Sequence, residues 1–360
     1  MAKNEGQLEL GVIRRVLPEG FAVVLLGEGA AELVHAQAER LGVQSALVLA
    51  TSRRTAAADR VSVKLGERSA GVLGIAREHV PIEIVTQGRS EASRRRADAL
   101  VAVGGGSTIG LGKAIALELA LPIIAIPTTF SGSEMTPVWG ITEGGVKRTG
   151  RDERARAACV LYDPLLSQAL PPAVAVPSAF NALAHAVEAL YAPEADTELL
   201  ALAEESAKSL AQSLRALSAG SSDLGLREQG LYGACLAGAC LGRASMGLHH
   251  KLCHVLGGSF DLPHASTHAV LLPYVARFNL EAAPDARARL GRALGAGDAV
   301  QALFDLASQH GVPRSLASLG LAADALDRAA ELATASPYPN PRPVSTADAR
   351  ELLELAYRGR

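Results

Sequence analysis

The sequence predicts an α/β domain built on a parallel sheet, followed by an all-helical domain. Three observations carry this. In the first 163 residues, short unbroken apolar runs alternate with helix-like segments. Unbroken rather than alternating runs mean strands buried on both faces, as in parallel sheets. Strands spaced by helices mean βαβ units with right-handed crossovers. Beyond Asp163-Pro164 the strand signals stop and long helical patterns carry the rest. At 360 residues the chain is long enough for two cores, and 49% apolar with 4% aromatic residues suits an α/β or helical protein.

The elements follow in order. Phe21–Leu26 is an apolar run that ends at Gly27-Glu28-Gly29 and gives way to a helical pattern through Leu41. Ala46–Ala50 is the second run, and Thr51-Ser52-Arg53-Arg54 opens the next helix. Ile82–Val85 is a short strand candidate, with an arginine-rich helix from Glu91 to Ala99 behind it. Leu100–Val103, a glycine turn, a helix from about Thr108 to Leu119, and Pro122–Ile126 complete this half. Helical patterns then cover 166–170, 178–191, 195–217, 227–256, 265–279, 285–295, 298–310, 323–335 and 346–357. Helix stops fall at Gly257-Gly258 and Gly311-Val312-Pro313, and a proline-rich loop spans 337–343. Residues 1–163 are therefore expected to form a nucleotide-binding α/β domain and 164–360 a helical one. The cleft between them is the expected ligand site.

A net charge of −2 gives no electrostatic case for a nucleic-acid partner. No run of 18 apolar residues suggests a membrane span, and Met1 to Arg15 lacks the apolar core of a signal peptide. Cys159, Cys235, Cys240 and Cys253 form no CxxC pair. They are expected to be reduced thiols in a cytoplasmic protein.

Gly104-Gly105-Gly106-Ser107-Thr108 joins a strong apolar run to a helix. Glycines let backbone N–H groups approach a phosphate, and a helix N-terminus adds partial positive charge. A diphosphate is the natural guest, with a tight turn as the plain alternative. A Walker A loop fails at Ser107 and Ala114, and the usual dinucleotide fingerprint fails at Glu32. Pro127-Thr128-Thr129-Phe130-Ser131-Gly132-Ser133-Glu134 follows the next run, where open α/β sheets bind ligands. Thr128, Thr129 and Ser131, with Thr136 and Lys147, join the three glycines and Ser107 as expected cofactor contacts. Arg53 and Arg54 stand where an acid would repel a 2′-phosphate, so NADPH should be tolerated alongside NADH.

Asn181 and His185 are spaced i, i+4, as are His250 and His254, so each pair shares a helical face. His249, His250, His254, His264 and His268 crowd into twenty residues. Imidazoles in that density suit metal binding or proton transfer, but Asn181 is a neutral amide where a metal would prefer a carboxylate. His249 and His268 lie off the other faces and are read as packing or capping residues. His35, His79 and His310 are isolated and read as ordinary surface or core residues.

Together, GGGS with Lys113 six residues on, PTTFSGSE, NALAHAVEALYA (181–192) and GLHHKLCHVLGGSFDLPHA (247–265) resemble the iron-containing alcohol dehydrogenase family over nearly the whole chain. The resemblance implies a dinucleotide-binding α/β domain, a helical domain and a homodimer. Members hold a divalent metal with one Asp and three His. The matching histidines are His185, His250 and His264, but Asn181 stands at the Asp. The Asp of GGGSxxD is replaced by Gly110. Both departures, and YPNPRPV at 338–344, resemble the maleylacetate reductase branch.

That resemblance implies NADH- or NADPH-dependent reduction of a conjugated C=C bond in a small dicarboxylate, without tightly bound metal. Losing the Asp charge should weaken metal binding and leave the histidines freer to be protonated. His254 is expected to donate the proton. His185, His250 and His264 should line the pocket, with Asn181, Lys251, Arg243 and Arg342 holding substrate. The alternatives are a metal-dependent alcohol or polyol dehydrogenase that tolerates Asn as a ligand, and a catalytically silent nucleotide-binding protein.

Overall fold

The computed structural model describes residues 14–15, 22–52, 55–144 and 146–360. Phe21, Met1–Ile13 and the Arg53-Arg54 pair, on which the expected cofactor tolerance rests, lie outside the described residues.

The first half reads β1 (Arg14–Arg15), β2 (Val23–Leu26), α1 (Val34–Arg40), β3 (Ala46–Thr51), α2 (Thr55–Leu65), β4 (Ser69–Ala76), α3 (Ile82–Arg94), β5 (Ala99–Gly104), α4 (Gly106–Leu119) and β6 (Ile123–Pro127). A hairpin of β7 (Val138–Glu143) and β8 (Val146–Arg151) follows, then β9 (Cys159–Tyr162). The sheet order is β1-β2-β9-β6-β5-β3-β4. All neighbours run parallel except the short β1–β2 pair. Every residue of β5, β6 and β9 is buried, as unbroken apolar strands require.

Helices make up the rest: α5 (Pro164–Ser167), α6 (Pro172–Ala189), α7 (Thr197–Ser218), α8 (Leu224–Arg243), α9 (Leu248–Phe260), α10 (His264–Leu280), α11 (Pro284–Leu294), α12 (Ala299–Gln309), α13 (Ala325–Thr334) and α14 (Thr346–Arg358). All residues from Ala175 to Ala189 of α6 are buried. A helix closed in on every side is a core helix, and α6 packs against α7, α8 and α10. It carries Asn181, His185 and Glu188 into the interior.

Four expectations need correction. Ile82–Val85 is the first turn of α3, not a strand. Its buried positions Ile84, Val85, Gly88 and Ala92 keep helical spacing, and the Pro81 carbonyl accepts from Ile84 and Val85 N–H. β4 went unread because its glycines and alanines dilute an edge strand. The β7–β8 hairpin is polar and half exposed, so it lacks an apolar run. Finally, 227–256 is two helices, broken at Ala244–Gly247, and Gly257-Gly258 does not stop α9. That helix runs to Phe260 and ends at Asp261 in the left-handed region.

The two halves meet closely. Gly132 (φ 72°) lies against Gly238 of α8, where a side chain on Gly238 would collide with the Gly132 carbonyl. Phe130 N–H donates to Ser178 Oγ of α6 at 3.0 Å.

Candidate active site

Gly104 and Pro127 are register partners at the ends of β5 and β6, so the two expected loops emerge side by side. Thr128 N–H donates to the Gly104 carbonyl at 3.1 Å and ties them together. Gly105 caps α4, whose first N–H groups have no partner within the helix. A Cβ on Gly105 would sit 2.8 Å from Thr129 Cγ2, whereas one on Gly106 would meet nothing closer than Ser131 Oγ at 3.9 Å. Bare backbone at a helix start, rimmed by the hydroxyls of Thr129 and Ser131, fits a diphosphate. Replacing Gly105 by Ala is expected to raise KM for the reduced cofactor about tenfold, with kcat little changed, in steady-state titrations.

Thr136 is placed differently from the expectation. Its hydroxyl is buried, accepts from Lys113 Nζ at 3.0 Å and donates to the Ser133 carbonyl at 3.2 Å. Lys113 Nζ also donates to the Ser133 and Val138 carbonyls at 2.6 and 2.8 Å. Burial lowers the Lys113 pKa to about 7, against the pull of Glu134 nearby. Lys113 and Thr136 therefore pin the hydroxyl-rich loop to α4 rather than face a ligand. Gly110 also has a packing cause: a Cβ there would lie 2.8 Å from Val80 Cγ2, leaving no space for an acid.

The histidines converge from three helices. His185 (α6) and His250 (α9) stack with ring centroids 4.9 Å apart. His254 lies 6.2 Å from His250 and 6.4 Å from His264 of α10. The expectation for His249 and His268 is corrected: both belong to the cluster. His268 touches His264 at 4.5 Å and His250 at 4.9 Å, and its Nδ1 is 2.9 Å from His249 Nε2. Helical spacing within α9 places His249 off the His250 face, but α10 crosses to meet it.

The residue missed outright is Glu188, one turn beyond His185. Its buried carboxylate accepts from His250 Nδ1 at 2.5 Å, from His249 N–H at 2.9 Å and from Gly247 N–H at 3.2 Å. It thus satisfies the start of α9, where an anion is favoured, and fixes the His250 ring. These bonds hold its pKa below the usual carboxylate value although burial opposes them. The i, i+7 spacing from Asn181 was the available signal.

The polar atoms left over are informative. Asn181 Oδ1, His185 Nδ1 and His250 Nε2 are buried without a partner. Unpaired buried groups at one place need a ligand or a cost. Desolvation, then mutual repulsion, pushes the pKa values of His185, His264 and His268 well below the ordinary value. Desolvation lowers His254 as well, to about 3, although its side chain reaches the surface. His185, His249, His264 and His268 are therefore held towards the neutral form, against the expectation that the histidines are freer to be protonated. Positive charge comes from Lys147 and Lys251, both felt by His254. Lys147 belongs to β8, which packs on α9, so it lies by the histidines rather than at the glycine loop. Arg243 is engaged by Asp196 at 3.0 Å and Glu198 at 2.9 Å. Arg342 faces Glu281 at 3.7 Å and covers the Phe278 ring at 4.3 Å. Both arginines thus pair with exposed acids of the chain itself.

Asn181, His185, His250 and His264 are the set that would hold a divalent ion. One donor is a neutral amide. Among the described residues, the three side chains whose ligand atoms come within 4.8 Å of one another are His249, Cys253 and His268, not that set.

The chain is similar to known proteins along most of its length. Residues 22–164 match the model of iron-containing alcohol dehydrogenases, and 175–357 that of the Fe-containing alcohol dehydrogenase family, C-terminal. A maleylacetate reductase of Burkholderia cepacia is 50% identical over 93% of this chain and 96% of its own. The crystal structure of a maleylacetate reductase from a Rhizobium species superposes with a TM-score of 0.90 at 44% identity, covering 96% of this chain and 99% of that one. One from Agrobacterium tumefaciens gives 0.90 at 43%, covering 98% and 99%. With its sheet order, its glycine loop and its three-helix histidine cluster, the chain belongs to the iron-containing alcohol dehydrogenase family.

Proposed function

We propose that the protein is a maleylacetate reductase: it reduces the conjugated C=C bond of maleylacetate with NADH or NADPH to give 3-oxoadipate. The observation that carries this is the buried, unsatisfied trio of Asn181 Oδ1, His185 Nδ1 and His250 Nε2, with a neutral amide where a metal-dependent relative would present a carboxylate. The identity of 41–50% to curated maleylacetate reductases over nearly the whole chain points the same way. A metal-dependent alcohol dehydrogenase is disfavoured on both counts.

Held by the Gly104–Ser107 loop with Thr129 and Ser131, a nicotinamide cofactor would supply a hydride to the carbon β to the ketone. The electron pair of the C=C bond moves to the ketone oxygen as an enolate. His185 and His250 hold that oxygen, with Glu188 keeping the His250 ring in place. The enolate collapses as a proton from His254 reaches the adjacent carbon, and water in the cleft reprotonates His254. The sum is substrate, reduced cofactor and one proton giving product and oxidised cofactor. An enolate is delocalised, so hydrogen-bond donors suffice where a localised alkoxide needs a Lewis acid. Lys147 and Lys251 offset the two substrate carboxylates. Those carboxylates also favour protonated imidazoles, against the burial that holds the rings towards the neutral form.

An assay at 340 nm with maleylacetate and each reduced cofactor tests this. Turnover is expected with both cofactors and is expected to be unchanged by EDTA. His254→Ala should lower kcat at least about 100-fold. Full activity in that variant removes His254 from the mechanism, and one essential metal per subunit ends the metal-free reading. A homodimer, a cytoplasmic setting and a division of the chain at 163/164 belong to the same proposal. Light scattering checks the first.

A further inference from the structure

We infer that His249, Cys253 and His268 form a separate soft-metal site that takes one Cu(I) ion in preference to Zn(II). It shares no side chain with Asn181, His185, His250 and His264. His249 and Cys253 are one turn apart on α9, and His268 approaches from α10. Cys253 Sγ lies 3.6 Å from His249 Nε2, and His249 Nε2 lies 2.9 Å from His268 Nδ1. An ion with bonds of ~2.3 Å to sulfur and ~2.0 Å to nitrogen separates its S and N ligands by ~3.6 Å and its two N ligands by ~3.4 Å. The sulfur is already in place for His249 and within 4.8 Å of the His268 ligand atom, and the two rings need part by only about half an ångström.

Charge and burial choose the ion. All three residues are fully buried, with 0% of their surface exposed. One thiolate and two neutral imidazoles cancel a single positive charge. Among these ligands a divalent ion would leave one positive charge in a dry interior, which is costly, and the nearest buried carboxylate, Glu188, is already engaged by His249 N–H and His250. Soft thiolate and imidazole donors suit Cu(I), and three donors complete its shell without water. Binding changes no oxidation state. The Cys253 thiol loses its proton to solvent as the Cu–S bond forms. The ring proton shared by His249 and His268 leaves the inner nitrogen and returns at the outer nitrogen of the same ring. Both outer atoms, His249 Nδ1 and His268 Nε2, are without partners and free to carry it. Cys159, Cys235 and Cys240 belong to no such group among the described residues.

The test is an anaerobic titration of the full-length protein with Cu(I) against a chromogenic Cu(I) chelator, with Zn(II) titrated in parallel. One Cu(I) per chain is expected, with one sulfur and two nitrogen neighbours by X-ray absorption. Cys253→Ser and His268→Asn should each weaken it at least about 100-fold, while His264→Ala leaves it intact. Where a variant fails to fold by circular dichroism, peptide mapping of the wild type replaces it. Bound Cu(I) should then protect Cys253 from alkylation and leave the other cysteines unchanged. No stoichiometric binding, an ion that persists in Cys253→Ser, a shell without sulfur, unprotected Cys253, or equal affinity for Zn(II) would each overturn the site. None of these readouts uses turnover, so they are independent of the proposed activity.

Discussion

Replacing Glu188 by Gln is expected to lower kcat about 10- to 100-fold and stability by about 2–3 kcal/mol. The carboxylate receives N–H groups on both oxygens: His249 N–H on Oε1, and His250 Nδ1 and Gly247 N–H on Oε2. An amide offers one acceptor and turns its NH2 towards N–H donors, so at least one buried bond becomes a repulsion. The charge that favours the start of α9 is lost as well. His250 then loses its fixed orientation within a cluster where ring centroids are 4.9 Å apart. Glu188→Ala removes the partner altogether, and ~3–5 kcal/mol is the scale for orphaning a buried pair. Thermal unfolding and steady-state kinetics of the Gln variant separate two roles. A purely structural residue lowers the melting temperature and leaves the pH profile of kcat alone. A positioning residue shifts that profile. A Gln variant with wild-type melting temperature and kcat refutes both.

Much of the fold was legible in the sequence because its signals are local. β5 and β6 are buried on both faces and therefore written as unbroken apolar runs, whereas β9, equally buried but only four residues long, was not anticipated. The glycine loop was legible for a related reason, since bare backbone beside Thr108 and Thr129 leaves no room for any other residue. What failed depends on distant partners. Ile82–Val85 looks like a strand until Pro81 is seen to start a helix there. β4 and the β7–β8 hairpin hide because half-exposed edges need no apolar run. His268 could not be joined to His249 from spacing, because the crossing of α9 and α10 makes that contact. Glu188 was overlooked because a glutamate on an alanine-rich helix reads as a surface charge. Only the closed packing of α6 shows that it cannot reach water. Arg243 and Arg342 were credited to a ligand although acids elsewhere in the chain, Asp196, Glu198 and Glu281, engage them.

The buried imidazoles set an acid limit on stability. His185, His249 and His268 are almost wholly out of water, and burial depresses all three pKa values, that of His249 to about 3. The folded state thus resists protons that the unfolded chain accepts near the ordinary histidine value of 6.5. Their contribution is complete above pH 6.5 and is lost as pH falls from there towards 3. Each group costs about 1 kcal/mol between pH 6.5 and 5.5 and about 1.4 kcal/mol per pH unit below that, so three give roughly 3 kcal/mol between pH 6.5 and 5.5. That is a large part of a typical domain's stability of about 5–15 kcal/mol. Lys113 does not confuse the measurement, because its depressed pKa acts between its ordinary 10.5 and about 7. Glu134 works in the opposite sense, since burial raises its pKa and it takes up a proton in the folded state. One carboxyl is outweighed by three imidazoles. Thermal melts in buffers from pH 7.5 to 5.0 should therefore show a steep decline beginning just above pH 6. His268→Asn should make that slope shallower by about a third. A melting temperature that stays level down to pH 5.5 would mean that water reaches these rings, and the same access would let them carry charge.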